Sequence, residues 1–114
     1  MPSSVQVSDI QAALTQINLA IPPVQAAVGT NPDPNAKYQL TMLGIQLINI
    51  QTTLTQALIA ADDAIFATDT SKLNAQATIL KGQAANIKAL ITDVATAGRV
   101  IGYITQALAL IASI

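Results

Sequence analysis

Aliphatic residues recur every seven positions along almost the whole of this chain, and that spacing leaves few folds open to it. Ile10, Ile17 and Val24 fall on one line, with Leu14, Ile21 and Val28 beside it. Leu40, Leu47, Leu54 and Ala61 form a second line, accompanied by Leu43, Ile50, Ala57 and Ala64. A third runs through Leu73, Leu80, Ile87, Val94, Ile101 and Leu108, with Leu90, Ala97, Ile104 and Ile111 as companions. A helix turns once in 3.6 residues, so a seven-residue repeat keeps one face apolar and suits neighbours crossing at shallow angles. A strand alternates every two residues and would scatter the same side chains over both faces. The expected fold is therefore all-α, a single domain over residues 1–114, built as an antiparallel helical bundle of three long helices.

The breaks between helices are written in local chemistry. Ser8 with Gln11 three residues on reads as a capping box, and Asp9 suits the first turn, so the first helix is expected to start near Ser8. Pro22 and Pro23 interrupt it, yet the apolar register runs through them, which implies a kink or a short restart and not a reversal; the alternative is two short pieces, a helix to Ala20 and a turn and a half after the prolines. Ala13, Ala20 and Ala27, also seven apart, offer a neighbouring helix a close approach. Gly29 is placed as a C-terminal cap, and Gly29 to Asn35 is the clearest loop, because residues before proline are biased away from helix. The second helix is expected over 36–68, with Asp69, Thr70 and Ser71 breaking it and capping the third. At Gly98 two readings stay open. The expected one is a continuous or kinked third helix, since no capping residue follows Gly98; the other is a reversal that gives a four-helix bundle. A continuous third helix of ~65 Å would overhang a first helix of ~30 Å. Ile101, Ile104, Leu108 and Ile111 would then be exposed, which favours oligomerisation; the four-helix version covers itself.

Composition decides which functions are out of reach. Charged residues make up 10% of the chain, where about 25% is usual in soluble domains, and hydrophobic residues 52%. Glu, His, Cys and Trp are absent, so thiolate or imidazole metal sites, disulfides and a Ser-His-Asp arrangement have no residues to be made from. No Ser-x-x-Lys pair and no glycine-rich phosphate loop occurs. An enzyme is not expected, nor a cofactor or metal. The one acidic cluster, Asp62, Asp63 and Asp69, reads as solvated carboxylates and a helix cap. Asn31, Asp33 and Asn35 imitate the start of an EF-hand loop, but Ala36 stands where the glycine belongs and Met42 where the bidentate Glu belongs. The net charge of -1 comes with no basic patch, so nucleic acid is not an expected partner. So little net charge also gives little colloidal repulsion, and such a chain tends to associate.

Residues 1–9 carry neither a basic n-region nor an apolar h-region, which predicts no classical signal peptide and a chain that is cytoplasmic or exported by a signal-less route. The charge-free apolar stretch Val100 to Ile114 falls short of the ~20 residues that span a bilayer, and extending it backwards meets Arg99, Thr96 and Asp93, so a buried terminal helix is expected in place of a transmembrane one and a membrane is not favoured. Lys81 and Lys88, seven apart and sharing a face with Asn74, read as a sparsely charged solvent face; the functional alternative is a contact with an acidic partner or lipid headgroups.

Aliphatic residues outside a single seam mark the candidate interaction surface: Ile45, Ile48, Ile59, Leu90, Ile91, Ile101, Ile104, Leu108 and Ile111. The expected function is a non-enzymatic structural or protein-interaction bundle that self-associates through its aliphatic heptad stripes, as a homo-oligomer or with a protein partner. The alternative is a membrane-active or lipid- or apolar-ligand-binding protein that uses the charge-free C-terminal segment.

Overall fold

In a computed structural model that describes residues 2–114, the chain is all-helical, with no strand among the described residues. Five helices follow one another: α1 Ser4–Thr30, α2 Pro34–Leu58, α3 Asp63–Ala84, the single turn α4 Ile87–Leu90, and α5 Val94–Ser113. They occupy an envelope of 46 × 21 × 18 Å.

The helices begin and end where a side chain can take over an orphaned backbone group. α1 starts at Ser4, earlier than expected, because Ser3 and Gln6 make the capping box: Gln6 N–H donates to Ser3 Oγ at 3.1 Å and Ser3 N–H to Gln6 Oε1 at 2.8 Å. The same Ser-x-x-Gln spelling recurs at Ser8 to Gln11, and the chain uses the first copy. Pro22 and Pro23 lie inside a continuous α1. Gly29 is helical too, and Asn31 closes the helix by donating its N–H to Ala27 O at 3.0 Å. Pro34 opens α2 at its first turn, where a missing N–H costs nothing, and the Asp33 carboxylate accepts from Asn35 N–H at 3.2 Å.

The later boundaries correct the expected ones. α2 ends at Leu58 and not near Thr68, because Asp62, in extended backbone, caps α3 by accepting from Ile65 N–H at 2.8 Å. Asp69, Thr70 and Ser71 are consequently inside α3. The expected third helix is divided into α3, α4 and α5, so the chain has four long helices and one short where three long ones were expected. The break falls at Ile91, Thr92 and Asp93 and not near Gly98, which sits inside α5. Asp93 supplies the cap that nothing after Gly98 offers, accepting from Thr96 N–H at 3.1 Å.

Cross-helix contacts fix directions. Gln51 Nε2 donates to Asn18 Oδ1, and Gly44 sits against Val24, so α2 runs antiparallel to α1. Gln46 Nε2 donates to the Gln76 carbonyl at 3.3 Å while Met42 and Gln83 share a pocket nearer the other end, so α3 is antiparallel to α2. Gln6 Nε2 reaches the Ile114 carbonyl at 3.3 Å and Asn31 the Leu90 carbonyl at 2.8 Å, which sets α5 antiparallel to α1. α3 and α5 therefore also run in opposite directions.

The core is a set of heptad seams. α1 buries Ile10, Ile17 and Val24 alternately with Ala13, Ala20 and Ala27, while Leu14, Ile21 and Val28 stay half-buried at its flank. The small alanines are the inner line, as their spacing suggests for close approach. α2 buries Leu40, Leu43, Leu47, Ile50, Leu54 and Ala57, and α5 buries Ala97, Val100, Ile104, Ala107 and Ile111. α3 contributes only Phe66, Leu73 and Leu80. Its companion positions toward α2 are polar: Asp69, Gln76 and Gln83 each hold a side-chain oxygen shielded from solvent without a hydrogen-bond partner. The third apolar line is not one seam either. Leu73, Leu80 and Ile87 are buried, but Val94, next on the line, is 85% exposed because the chain has turned before it.

Candidate functional site

The nine aliphatic residues singled out in the sequence are distributed over separate places. Leu90 and Ile91 are buried where α4 meets the start of α5, and they act as core. Ile59 stands 75% exposed at the turn between α2 and α3. Ile45 and Ile48 project outward from α2, on the side away from Leu43, Leu47 and Ile50. Ile101, Ile104, Leu108 and Ile111 come together on α5, where they line a groove against α3.

That groove exists because α3 is under-supplied with large side chains on its α5 side. Ala77 and Ala84, half-buried, occupy the positions that a closed seam would fill with leucine, and Thr78 and Ala85 continue the same face. α5 answers with a wide aliphatic stripe, so small residues on one helix face large ones on the other and the pair does not close. The result is a cleft of about 630 Å³, within the 300–1,000 Å³ range of small-molecule sites. Asn74, Lys81 and Thr105 add polar groups to its lining. Lys88, expected to share their face, is on α4 and outside the cleft, since the helix breaks between them.

The α2 ridge extends beyond Ile45 and Ile48. Tyr38 and Met42 stand exposed in line with Ile45 and Ile48, at the helical spacing of four, three and three. The signal available in the sequence was the run 38–61, in which no residue is charged. Thr41, Thr52 and Thr55 on the same helix turn their hydroxyl protons back to the carbonyls of Lys37, Ile48 and Gln51, so they leave mainly methyl surface outward.

Among the acidic candidates Asp62 and Asp33 serve caps and turns, while Asp69 lies inside α3 with one carboxylate oxygen shielded from solvent and without a hydrogen-bond partner. Asp62 caps α3, and Asn31, Asp33 and Asn35 form successive Asx turns, with Asp33 N–H donating to Asn31 Oδ1 at 3.0 Å. No group of three metal-ligating side chains comes together among the described residues. Asp93 has a carboxyl held below the usual carboxylate range, first by the Thr96 hydroxyl, then by the Thr96 backbone N–H, with the Arg99 charge adding a smaller part. As the N-cap of α5 its side chain meets the backbone and hydroxyl of Thr96, three residues on.

α5 taken whole, Val94–Ser113, is 20 residues long and apolar enough to cross a membrane by length and composition. The core helix of a bundle meets the same length and composition. In the folded chain one face of that helix, Ala97 to Ile111, is committed to the core. No family model matches the chain, and neither a curated protein nor a solved structure matches it.

Proposed function

We propose that the chain is a non-enzymatic interaction protein, a four-helix antiparallel bundle that self-associates through the outward ridge of α2. The observation that carries this reading is the exposed line Tyr38, Met42, Ile45 and Ile48 on a helix with no charge after Lys37. An uncharged face has no electrostatic preference for an acidic or basic partner, and it opposes no second copy of itself. A two-fold contact, in which the same patch serves both subunits, is the simplest arrangement that covers it. The low charge of the whole chain supports the same reading, because little long-range repulsion opposes association. Nucleic acid remains outside it, for want of a basic patch.

The test is absolute mass in solution by size-exclusion chromatography with light scattering, over a wide concentration range. The parent chain is expected as a dimer or larger species, and Ile45→Lys with Ile48→Lys as a monomer of unchanged helicity. Ile79→Lys, on the exposed face of α3, is expected to leave the mass as it was. A parent that stays monomeric at every concentration overturns the reading.

A further inference from the structure

The cleft between α3 and α5 has a chemistry of its own, distinct from the α2 ridge. Its floor is aliphatic: Ala77 and Ala84 from α3, and Ile101, Ile104, Leu108 and Ile111 from α5. It runs along the helices from Asn74 to Ala85 and from Ile101 to Ala112, about 16 Å at 1.5 Å per residue. An elongated, open groove with an aliphatic floor offers an unbranched chain contact along its length.

The polar lining is one-sided in charge. Lys81 is the only charged residue that lines the cleft, no carboxylate lines it, and among the described residues no ion pair engages the Lys81 ammonium. Thr78 lies beside it on α3, and Thr105 faces across from α5. The Thr78 hydroxyl donates to the Asn74 carbonyl at 3.1 Å, so a ligand's anionic end finds the Lys81 cation and the Thr105 hydroxyl in the lining, while its apolar remainder lies on the aliphatic floor. The lysine stem itself packs as apolar surface while its head stays wet.

We infer that the α3–α5 cleft binds a single-chain amphiphile with an anionic head, of the fatty carboxylate class, with its carboxylate at Lys81 and its chain along Ala77, Ile104 and Leu108. The expected stoichiometry is one per chain.

Isothermal titration of the full chain with dodecanoate, kept below its micelle concentration, tests this. Saturable binding at one site is expected, with dodecanoate preferred over dodecyltrimethylammonium by about tenfold, the range of one charge-assisted contact. Lys81→Gln is expected to remove that preference while leaving an uncharged dodecyl chain bound as before. Ala77→Leu fills the floor and is expected to abolish binding; Ala109→Leu, on the exposed rim of α5, does the same from the other wall should the first variant fold poorly. Ile45→Lys is expected to bind dodecanoate like the parent, so failure of self-association leaves the cleft reading standing. Absence of saturable binding, binding unchanged in both filled variants, or a head-group preference that survives Lys81→Gln overturns it.

Discussion

Asn31 holds Leu90 across one end of the molecule: its Nδ2 donates to the Leu90 carbonyl at 2.8 Å, between residues 59 apart in the chain. Leu90 ends α4, so this carbonyl is one of those that a helix terminus leaves without an intrahelical partner. The same side chain receives Asp33 N–H on Oδ1, and the Asn31 backbone closes α1. One residue thus ties the α1–α2 reversal to the α4–α5 reversal.

Asn31→Ala removes both side-chain bonds and leaves the Leu90 carbonyl unpaired. The expected loss is about 1–2 kcal/mol, read as a lower urea midpoint at unchanged slope. A change near zero would mean that this bond does not tie the two ends in solution.

Ile87 and Val94 spell the same letter of the heptad and differ in fate, since Ile87 is fully buried and Val94 is exposed. Ile87→Ala is expected to cost about 2–5 kcal/mol and Val94→Ala less than about 0.5 kcal/mol. Equal losses would instead describe an unbroken third helix running through Asp93.

Asp93 gives the fold an acid-sensitive joint. Its carboxyl is held below the ordinary range by Thr96 and, less strongly, Arg99, so the charged form is favoured in the folded state. A depressed folded value means stabilisation that is present above the unfolded carboxylate value of ~3.9 and lost as pH falls through the lower folded one. Asn caps a helix without titrating. Melting temperature followed from pH 5 downward by about three units should therefore fall less steeply in Asp93→Asn than in the parent over the acid end, and parallel curves would remove Asp93 from the acid response.

Much of this architecture is legible in the spacing alone. The inner lines of α1 and α2 fall where the sevens place them as far as Ala57, while Ala61 and Ala64, next on the expected lines, lie beyond the end of α2 and are exposed; the small alanines of α1 turn out to be core. Boundaries were harder, because the deciding residues are single polar side chains whose competitors look alike. Ser3 and Ser8 both spell a capping box, and Asp62 and Asp69 both offer a cap. Only packing chooses between them. The unbroken line through Val94 misled for a different cause: a short connection can restart a helix in the same numerical phase while presenting another face to the core. The cleft was invisible from one helix at a time, since it arises from alanines on α3 meeting isoleucines on α5. The ridge on α2 is half legible, through Ile45 and Ile48, because Tyr38 and Met42 stand outside the run of branched aliphatics.

The single apolar line of α3 sets an order of opening. α1 packs through double rows on α2 and on α5, whereas α3 holds by Phe66, Leu73 and Leu80, with three unsatisfied oxygens on one flank and a cleft on the other. Free energy of local unfolding follows such differences. α3 is then the leaf that swings out first while the other three long helices stay shut, and its amides trade deuterium by that route before α1, α2 and α5 give theirs up in global unfolding. The width of the cleft is accordingly a breathing dimension of the protein and not a fixed gap.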